Sequence, residues 1–456
     1  MERAIRRIIA LVVCLIALPA VVESAWGESF DENLLDVLRE QGTITGNPYE
    51  ELKRKAQAEA AAPAEALPPV AAAQDDPTGW KMYWQNGTTV KRNDGLFKVT
   101  FGGRIQLDAA GIITDDTLNA AMPGLRGAGT EFRRARFFMQ GSFYEHGIFK
   151  AQYDFAGSDK VKFKDVWIGL RKLPAVGQLR AGHFKEGFSL NEMASSKYIT
   201  FMERALPVLA FAPSRNTGLA AQNTAFDKQM TWTVGVFADV GSDGDRDVSS
   251  ASNYNVNTRL TGLPVYSDDG RKLVHLGLGY THSFVNNLVS FDAGEVHLSG
   301  DLVDTGDVLA KGIDRLGLEF ASVFGSLSFQ GEWISTWVNQ IAAPDLHFMG
   351  AYAQVSWFVT GEHRLYKKAS GTFSRVKPKN PFAPTKGDWG GLELAARYSY
   401  LDLSDENIQG GTQNNTTLGV NWYLYPNLRI MFNWVYSHLN GVGNENAVMT
   451  RIAVDF

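Results

Sequence analysis

Residues 97–108, which read FKVTFGGRIQLD, decide the fold. Apolar side chains occupy alternate positions of this stretch, namely Phe97, Val99, Phe101, Ile105 and Leu107. The residues between them are mostly polar or glycine. A β-strand points successive side chains to opposite faces, so this stretch predicts a strand with one apolar face and one polar face.

The same period of two recurs along the chain. It is found at residues 149–155, 274–281 and 418–424, and a Tyr425-Pro426-Asn427 turn leads from the last of these into an alternating stretch at 428–436. The final strand carries one such face: Val448, Thr450, Ile452, Val454 and Phe456. Alternating stretches joined by tight turns predict hairpins, and their repetition predicts a large antiparallel sheet.

Three features favour a membrane barrel over a soluble sandwich. Tight turns alternate with long Gly, Asp and Asn segments such as residues 241–252, aromatic residues cluster at strand ends, and no helical domain of any size is predicted. Outer-membrane barrels have such loops and aromatic girdles. A Phe that closes an alternating last strand also resembles the assembly signal of bacterial outer-membrane proteins.

Residues 80–456 supply enough chain for about 16 strands, if each strand takes roughly 10 residues to cross the bilayer. The expected fold class is therefore all-β transmembrane. We expect an antiparallel outer-membrane β-barrel of about 16 strands, with a short N-terminal helical segment before it. A barrel of that size has an aqueous lumen.

Composition excludes several other classes of protein. Of the 456 residues, 45% are hydrophobic and 12% aromatic, the formal net charge is −5, and there is one Cys. A disordered chain would have fewer aromatic residues, and a disulfide-stapled domain would need more Cys. No apolar run after residue 27 reaches the roughly 18 residues of a membrane-spanning helix.

The N-terminus predicts export. A basic segment with Arg3, Arg6 and Arg7 precedes the apolar residues 8–22, and the small residues Ala25 and Gly27 follow. We expect residues 1–27 to be a signal peptide, cut after Gly27 or after Ala25, and the mature protein to reside in the bacterial outer membrane. An uncleaved anchor is the alternative.

Two segments lie between the signal peptide and the barrel domain at 80–456. Residues 28–59 contain a few Leu and Ile residues among many charges and predict two short helices, which could self-associate as a small coiled coil in the periplasm. Residues 60–79 are rich in Ala and Pro and predict a linker. The alternative is that the whole region is a flexible tail.

Several short motifs resemble the phosphate-selective porin O and P family. They are FGGRIQ at 101–106, FRRA at 132–135, SSK at 195–197, MER at 202–204, HRLYK at 363–367 and LGVNWY at 418–423. The resemblance spans the barrel in order. It implies a homotrimer of sixteen-stranded, anion-conducting barrels, each with a loop folded into the lumen.

The expected function is therefore an outer-membrane channel for passive diffusion of small inorganic anions, with phosphate or polyphosphate as possible solutes. A general small-solute porin and a non-conducting receptor or adhesin barrel are the alternatives. No nucleophile elbow, His-Glu-x-x-His helix or phosphate loop is present, so we expect no enzyme activity. We expect neither a cofactor nor a nucleic-acid partner, and the acidic stretch 243–247 predicts a solvated loop rather than a Ca²⁺ site.

Anion passage needs fixed positive charge in the lumen, and Arg suits phosphate because its planar fork donates two hydrogen bonds. Strand alternation and the resemblance together give the lumen candidates Lys98, Arg104, Arg134, Arg136, Lys150, Asp165 and Arg180. For any one of the cations, the alternative is a salt bridge in the barrel wall with Asp108, Asp154 or Asp165.

The resemblance also implies a constriction. It places Arg133 and Arg134 beside Arg104, although Arg133 has the opposite parity, so the strand would have to begin or bulge there. It makes residues 185–204 the loop that narrows the pore. The expected constriction residues are Arg104, Arg133, Arg134, Arg136, Lys185, Lys197 and Arg204.

Some positions depart from the family pattern. His183 stands where the family has Arg, and Glu192 falls where phosphate channels have Lys. The family's arginine ladder is absent, because residues 273–310 contain neither Arg nor Lys but five acids: Asp292, Glu295, Asp301, Asp304 and Asp307. We therefore expect weaker phosphate binding than in dedicated phosphate channels.

A second basic region lies in a long loop. Its candidates are Lys367, Lys368, Arg375, Lys377 and Lys379, with Lys386 behind them. The loop could gather anions at the channel mouth, or it could bind lipopolysaccharide phosphates beside the outer-membrane lipid.

Overall fold

The computed structural model describes residues 76–157, 160–240 and 253–456, together with Glu50 and Arg54. The predicted signal peptide 1–27 lies outside the described residues. So do the helical segment 28–59, apart from those two positions, and the linker as far as residue 75. The acidic stretch 243–247 also lies outside them.

The described secondary structure is mostly strand. The first strands are β1 (Trp80–Trp84), β2 (Thr88–Arg92), β3 (Phe97–Thr114), β4 (Gly127–Phe143), β5 (Gly147–Asp154), β6 (Lys162–Leu173), β7 (Gly177–Lys185), β8 (Arg215–Ala225), β9 (Met230–Ala238), β10 (Tyr254–Ser267) and β11 (Lys272–Val289). They are followed by β12 (Asp292–Ala293), β13 (Val303–Asp304), β14 (Val308–Phe324), β15 (Leu327–Gln340), β16 (Leu346–Phe358), β17 (Tyr366–Lys367), β18 (Thr372–Phe373), β19 (Gly391–Asp405), β20 (Ile408–Tyr425), β21 (Leu428–Leu439) and β22 (Gly443–Asp455).

The α-helices within the described ranges are short. They are α1 (Asp116–Ala121), α2 (Leu190–Met193) and α3 (Leu206–Phe211). In the part of the chain that the structure describes, no helix is long and apolar enough to cross a membrane.

Sixteen strands form a closed antiparallel barrel, as the sequence predicted: β3–β11, β14–β16 and β19–β22. Each pairs with the next, and β22 closes the ring by pairing with β3 from Glu445↔Thr114 to Asp455↔Arg104. The hairpin β1–β2 joins the same edge of β3 just beyond the end of β22, through pairs such as Thr88↔Phe101.

The two ends of the barrel differ. Six connections of two to four residues lie at the end where the chain terminates, which we name the turn end: 144–146, 174–176, 226–229, 268–271, 325–326 and 426–427. The opposite end, the loop end, carries the connections 115–126, 155–161, 186–214, 239–253 and 290–307 and three short ones, 341–345, 406–407 and 440–442; the one long connection at the turn end is 359–390. In outer-membrane barrels short turns face the periplasm, so the turn end is the periplasmic end.

Side chains alternate across the wall as the sequence predicted. On β11 the outward Leu276, Leu278 and Tyr280 are 40–49% exposed, whereas His275 and Thr281 are fully buried on the inward face. An apolar outer surface and a polar inner surface suit a barrel surrounded by lipid.

Apolar residues fill part of the lumen. The loop 186–214 folds into the barrel, where α3 packs against β15, β16 and β19. Its side chains Leu206 and Phe211 join a buried cluster with Phe348 and Leu401 of the wall and Phe291 of the loop 290–307. The opposite wall, which is built from β3–β8, lines a charged open space.

The loop 115–126 is fixed to the last strand by one carboxylate. Asp115 caps α1 by accepting the backbone N–H of Leu118 (2.8 Å), and it also accepts the backbone N–H of Asn444 (2.7 Å). The hydrogen bond from Leu118, followed by the others, lowers the pKa of Asp115 to about 2. Such a cap is stronger with a charged acceptor.

We expect Asp115→Asn to lower the unfolding temperature of the detergent-solubilised barrel at pH 7. A depressed pKa contributes stability that is complete above the unfolded value, about 3.9, and that is lost as the pH falls towards about 2. The difference between variant and parent should therefore shrink over that range. Circular dichroism melting curves at several pH values measure it.

Asp116→Asn is the control for this prediction. The exposed Asp116 carboxylate contacts Arg126 of its own loop at 2.6 Å and not β22. A melting difference for Asp115→Asn that stays constant down to pH 2 would contradict the charged cap.

Candidate functional site

A β-bulge positions the arginine pair of β4. Gln106 pairs with Arg134 and the next residue, Leu107, pairs with Phe132, so Arg133 is the extra residue of the bulge. This is the irregularity that the resemblance required. It lets both neighbouring arginines reach the lumen, which strict alternation would forbid.

A second bulge lies on β6. Tyr153 pairs with Phe163 and Ala151 with Val166, so two residues, Lys164 and Asp165, lie opposite one. Both side chains line the lumen next to those of the first bulge. Two adjacent charged residues are again turned inward from a single stretch of strand.

The folded-in loop forms the other side of the site. Ser196 Oγ accepts a hydrogen bond from Arg104 (2.7 Å), and the carbonyl of Ser196 accepts one from Gln106 (3.3 Å). These contacts join the loop 186–214 to β3. The loop thus crosses the lumen and leaves a passage between itself and the wall.

The passage is a cavity of about 360 Å³. Nine cationic side chains line it: Arg104, Arg133, Arg134, Arg136, Lys150, Lys164, Lys185, Arg204 and Arg215. Two carboxylates, Asp165 and Glu192, and three hydroxyls, Ser195, Ser196 and Ser214, complete its charged and hydroxyl lining. We name this space the basic cavity.

Loop acids neutralise part of this charge. Glu203 accepts two hydrogen bonds from Arg133, at 2.9 and 3.0 Å, and lies 3.6 Å from Arg134. Glu192 forms ion pairs with Lys185 (3.1 Å) and Arg204 (2.7 Å).

Wall acids neutralise another part. Asp154 accepts from Arg136 at 2.7 Å, and Asp165 bridges Lys150 and Arg215. For Arg136 and Lys150, the structure therefore has the wall salt bridge that the sequence left as the alternative.

Arg104 differs from these residues. It donates to Ser196 (2.7 Å) and Ser195 (3.4 Å), and no carboxylate of the described residues lies within 4 Å of it. It is 7% exposed. Its charge is satisfied only by hydroxyl groups, which an anion in the cavity can supplement.

The remaining candidates lie elsewhere. Lys197 contacts Asp455 (3.2 Å) and lines a small neighbouring space with Arg375 on the turn-end side. Arg180 donates to Gln222 (3.0 Å) and lies over the Phe184 ring (4.7 Å), outside the basic cavity. Lys98 donates to Gln85 at the turn end (2.9 Å).

The long basic loop, residues 359–390, connects β16 to β19 at the turn end. Arg375 binds Asp455 of β22 (3.1 Å), and Lys368 contacts Asp227 (3.3 Å). The other candidates are exposed: Lys367, Lys377 and Lys379. The loop thus faces the periplasmic mouth.

Sequence reasoning missed Arg451 of β22. It is fully buried, binds Asp108 with two hydrogen bonds (2.6 and 2.7 Å), and donates to Glu203 (2.7 Å) and to the carbonyl of Met202. The alternation of the last strand placed Arg451 on the inner face, but no local pattern identifies a loop as its partner.

Glu295 has a structural role. Although sequence reasoning counted it among the acids that repel anions, it binds Arg397 (2.7 Å) and caps α3 through the backbone N–H of Leu206 (2.9 Å). Its charge is therefore compensated. Among the described residues, no group of three or more His, Cys, Asp or Glu side chains could hold a metal ion.

A sixteen-stranded outer-membrane barrel with an inward loop and a charged passage defines a porin. A profile of the family described as "Phosphate-selective porin O and P" matches residues 99–456. The chain therefore belongs to the phosphate-selective porin O and P family. It is an outer-membrane channel.

Individual proteins resemble this chain. "Porin O" of Pseudomonas aeruginosa is 25% identical over 402 residues, which are 79% of this chain and 88% of that protein. An uncharacterised protein of Caulobacter vibrioides is 29% identical over 389 residues, covering 81% and 74% of the two chains. The solved anion-selective porin from Comamonas acidovorans shares the fold, with a TM-score of 0.51, 14% identity, and coverage of 79% of this chain and 100% of its own.

Arg451→Gln should loosen the loop. Removing one partner of a buried ion pair costs about 3–5 kcal/mol, because the buried Asp108 keeps its charge but loses the arginine that binds it. We expect a less regular constriction, seen in planar bilayers as a larger and noisier single-channel conductance. Arg126→Gln, on an outer loop, is the control, and a quiet parental conductance in Arg451→Gln would contradict this role.

Proposed function

We propose that small inorganic anions diffuse passively through this porin, and that the basic cavity selects them. The excess of positive charge carries the proposal. Nine cations line the cavity, and even with Asp154 and Glu203 added, four carboxylates oppose them. Fixed positive groups lower the energy of an anion that leaves bulk water and raise that of a cation.

Phosphate is one possible solute of a broadly tuned channel. Most cations of the cavity already bind a carboxylate, so a divalent anion would have to compete with Glu192, Glu203 and Asp165. The residues 273–310 offer no cation to an approaching anion. These features support weaker phosphate binding than a dedicated phosphate channel would need.

The periplasmic side of the pathway also carries positive charge. We propose that the loop 359–390 gathers anions at this mouth through its exposed lysines. Its position at the turn end favours this role over contact with lipopolysaccharide, which resides in the outer leaflet.

We further propose that residues 1–27 are cleaved on export and that three copies assemble. Family membership supports the trimer, and the exposed apolar outer wall offers the contact surface. We propose that residues 28–59 add to this assembly and that residues 60–79 tether them.

Arg104→Gln should reduce anion preference. A fixed positive charge lowers the energy of an anion in the passage and raises that of a cation, so losing one uncompensated arginine among nine cations lowers the anion-to-cation permeability ratio several-fold. Reversal potentials in a KCl gradient measure this ratio. Lys98→Gln, outside the cavity, should leave it unchanged, and cation preference in the parent channel would refute the proposed function.

Phosphate added to chloride solutions should reduce the chloride conductance only at millimolar concentrations. A site with paired arginines has little charge left for a divalent ligand. Titration of single-channel currents with phosphate measures the affinity, and sulfate serves as the control anion of similar size and charge. Block at micromolar phosphate but not sulfate would show a dedicated phosphate site instead.

A further inference from the structure

Two lysines of β6 face the lumen above the basic cavity. Lys162 pairs with Asp154, and paired residues of neighbouring strands share a face of the sheet. Asp154 is buried on the inner face, where it binds Arg136. Lys162 is therefore on the lumen side, at the loop end of the barrel.

The second lysine lies two residues further along β6, on the same face as Lys162. Lys164 lines the basic cavity together with Arg136 and Arg215. Without the extra residue at this point of β6, Lys164 and Asp165 would point to opposite faces. The two lysines thus lead from the outer rim to the cavity.

Within the described ranges, neither lysine is neutralised by an ion pair. Among the described residues, no carboxylate lies within 4 Å of Lys162 or Lys164, in contrast to Lys150 and Lys185, which bind Asp165 and Glu192. The acid opposite Lys162, Asp154, is occupied by Arg136 (2.7 Å) and by the backbone N–H of Ala135 (3.1 Å).

The loop 290–307 has the opposite charge. It contributes Asp292, Asp301 and Asp304, and its flanking strands carry no Lys or Arg between residues 273 and 310. An anion that approaches from outside is therefore repelled by this loop and attracted by the two lysines.

We propose that Lys162 and Lys164 form a capture path that guides small anions from the loop end into the basic cavity. The proposal rests on the proposed function and adds the direction of approach. An anion passes Lys162 first, then Lys164 with Arg136 and Arg215, and then reaches Arg104. The path lies on β6, whereas the stretch 273–310, which has acids but no Lys or Arg, lies on β11, β14 and the loop between them.

The chemistry of lysine suits capture more than retention. Its ammonium is a compact, strongly hydrated charge on a flexible stem, and it lacks the planar fork with which Arg grips an oxyanion. Such charges raise the rate of association without selecting one anion strongly. The path therefore attracts chloride and phosphate alike, in keeping with a broadly tuned channel.

The test is the salt dependence of conductance in planar bilayers. Lys162→Glu reverses the charge at the outer end of the path and leaves the side chains that line the basic cavity unchanged. At 0.01 M KCl the Debye length is about 30 Å and the charge acts over the whole rim, whereas at 1 M it is about 3 Å. We expect conductance about threefold lower than in the parent at 0.01 M and nearly equal at 1 M, since steering is lost in salt.

Two further variants make the result specific. Lys311→Glu introduces the same charge change at the same end, on an exposed position of β14 away from the cavity, and should behave as the parent does. Lys162→Arg keeps the charge and should conduct normally at both concentrations. A regular conductance step at 1 M KCl shows that each variant forms a barrel.

The outcomes distinguish a failure of the lysine path from a failure of the proposed function on which it rests. Cation preference in the parent channel would refute the proposed function. If the parent prefers anions and Lys162→Glu conducts like it at 0.01 M, or if Lys311→Glu loses as much conductance, the lysine path is wrong and the anion channel stands. A loss confined to Lys162→Glu at low salt supports the path.

Discussion

The structure depends on the pairing of the last strand with the first strand of the barrel. In hydrocarbon every backbone N–H and C=O must find a partner within the protein, so an open sheet edge cannot be left in the membrane. The pairing of β22 with β3 removes both edges at once. It also creates an interior, and the interior allows polar and charged side chains to remain hydrated inside a bilayer.

The packing of apolar residues decides which part of that interior is charged. An apolar cluster around α3 occupies the side of β15, β16 and β19, and Glu295 and Arg397 hold it in place. The charged open space lies along β3–β8, where both bulges lie. The acids of this passage limit its positive charge instead of abolishing it, because Arg104 and Lys164 have no carboxylate within 4 Å among the described residues.

Alternation predicted the strands and their inward faces, because side-chain parity is fixed by local backbone geometry, and the length of the chain predicted the number of strands. Alternation could not predict that Lys164 and Asp165 both line the lumen, because a bulge puts these neighbours on the same face. Nor could it predict the partners of Arg451 and Glu295, which lie hundreds of residues away or in another loop. The resemblance supplied Arg133 before any bulge was visible. The loop 359–390 can be assigned to the turn end only when the strands before it are counted. The composition of the loop does not show at which end it lies.

The contacts of the inward loop also tie its position to the closure of the barrel. Its middle is held by the two strands made last: Arg429 and Asn433 of β21 bind the backbone of Ile199 and Met202, and Arg451 of β22 binds Met202 and Glu203. Until those strands have joined the sheet, the loop lacks these attachments. The same two strands therefore serve both to seal the wall and to hold the middle of the filter loop in place.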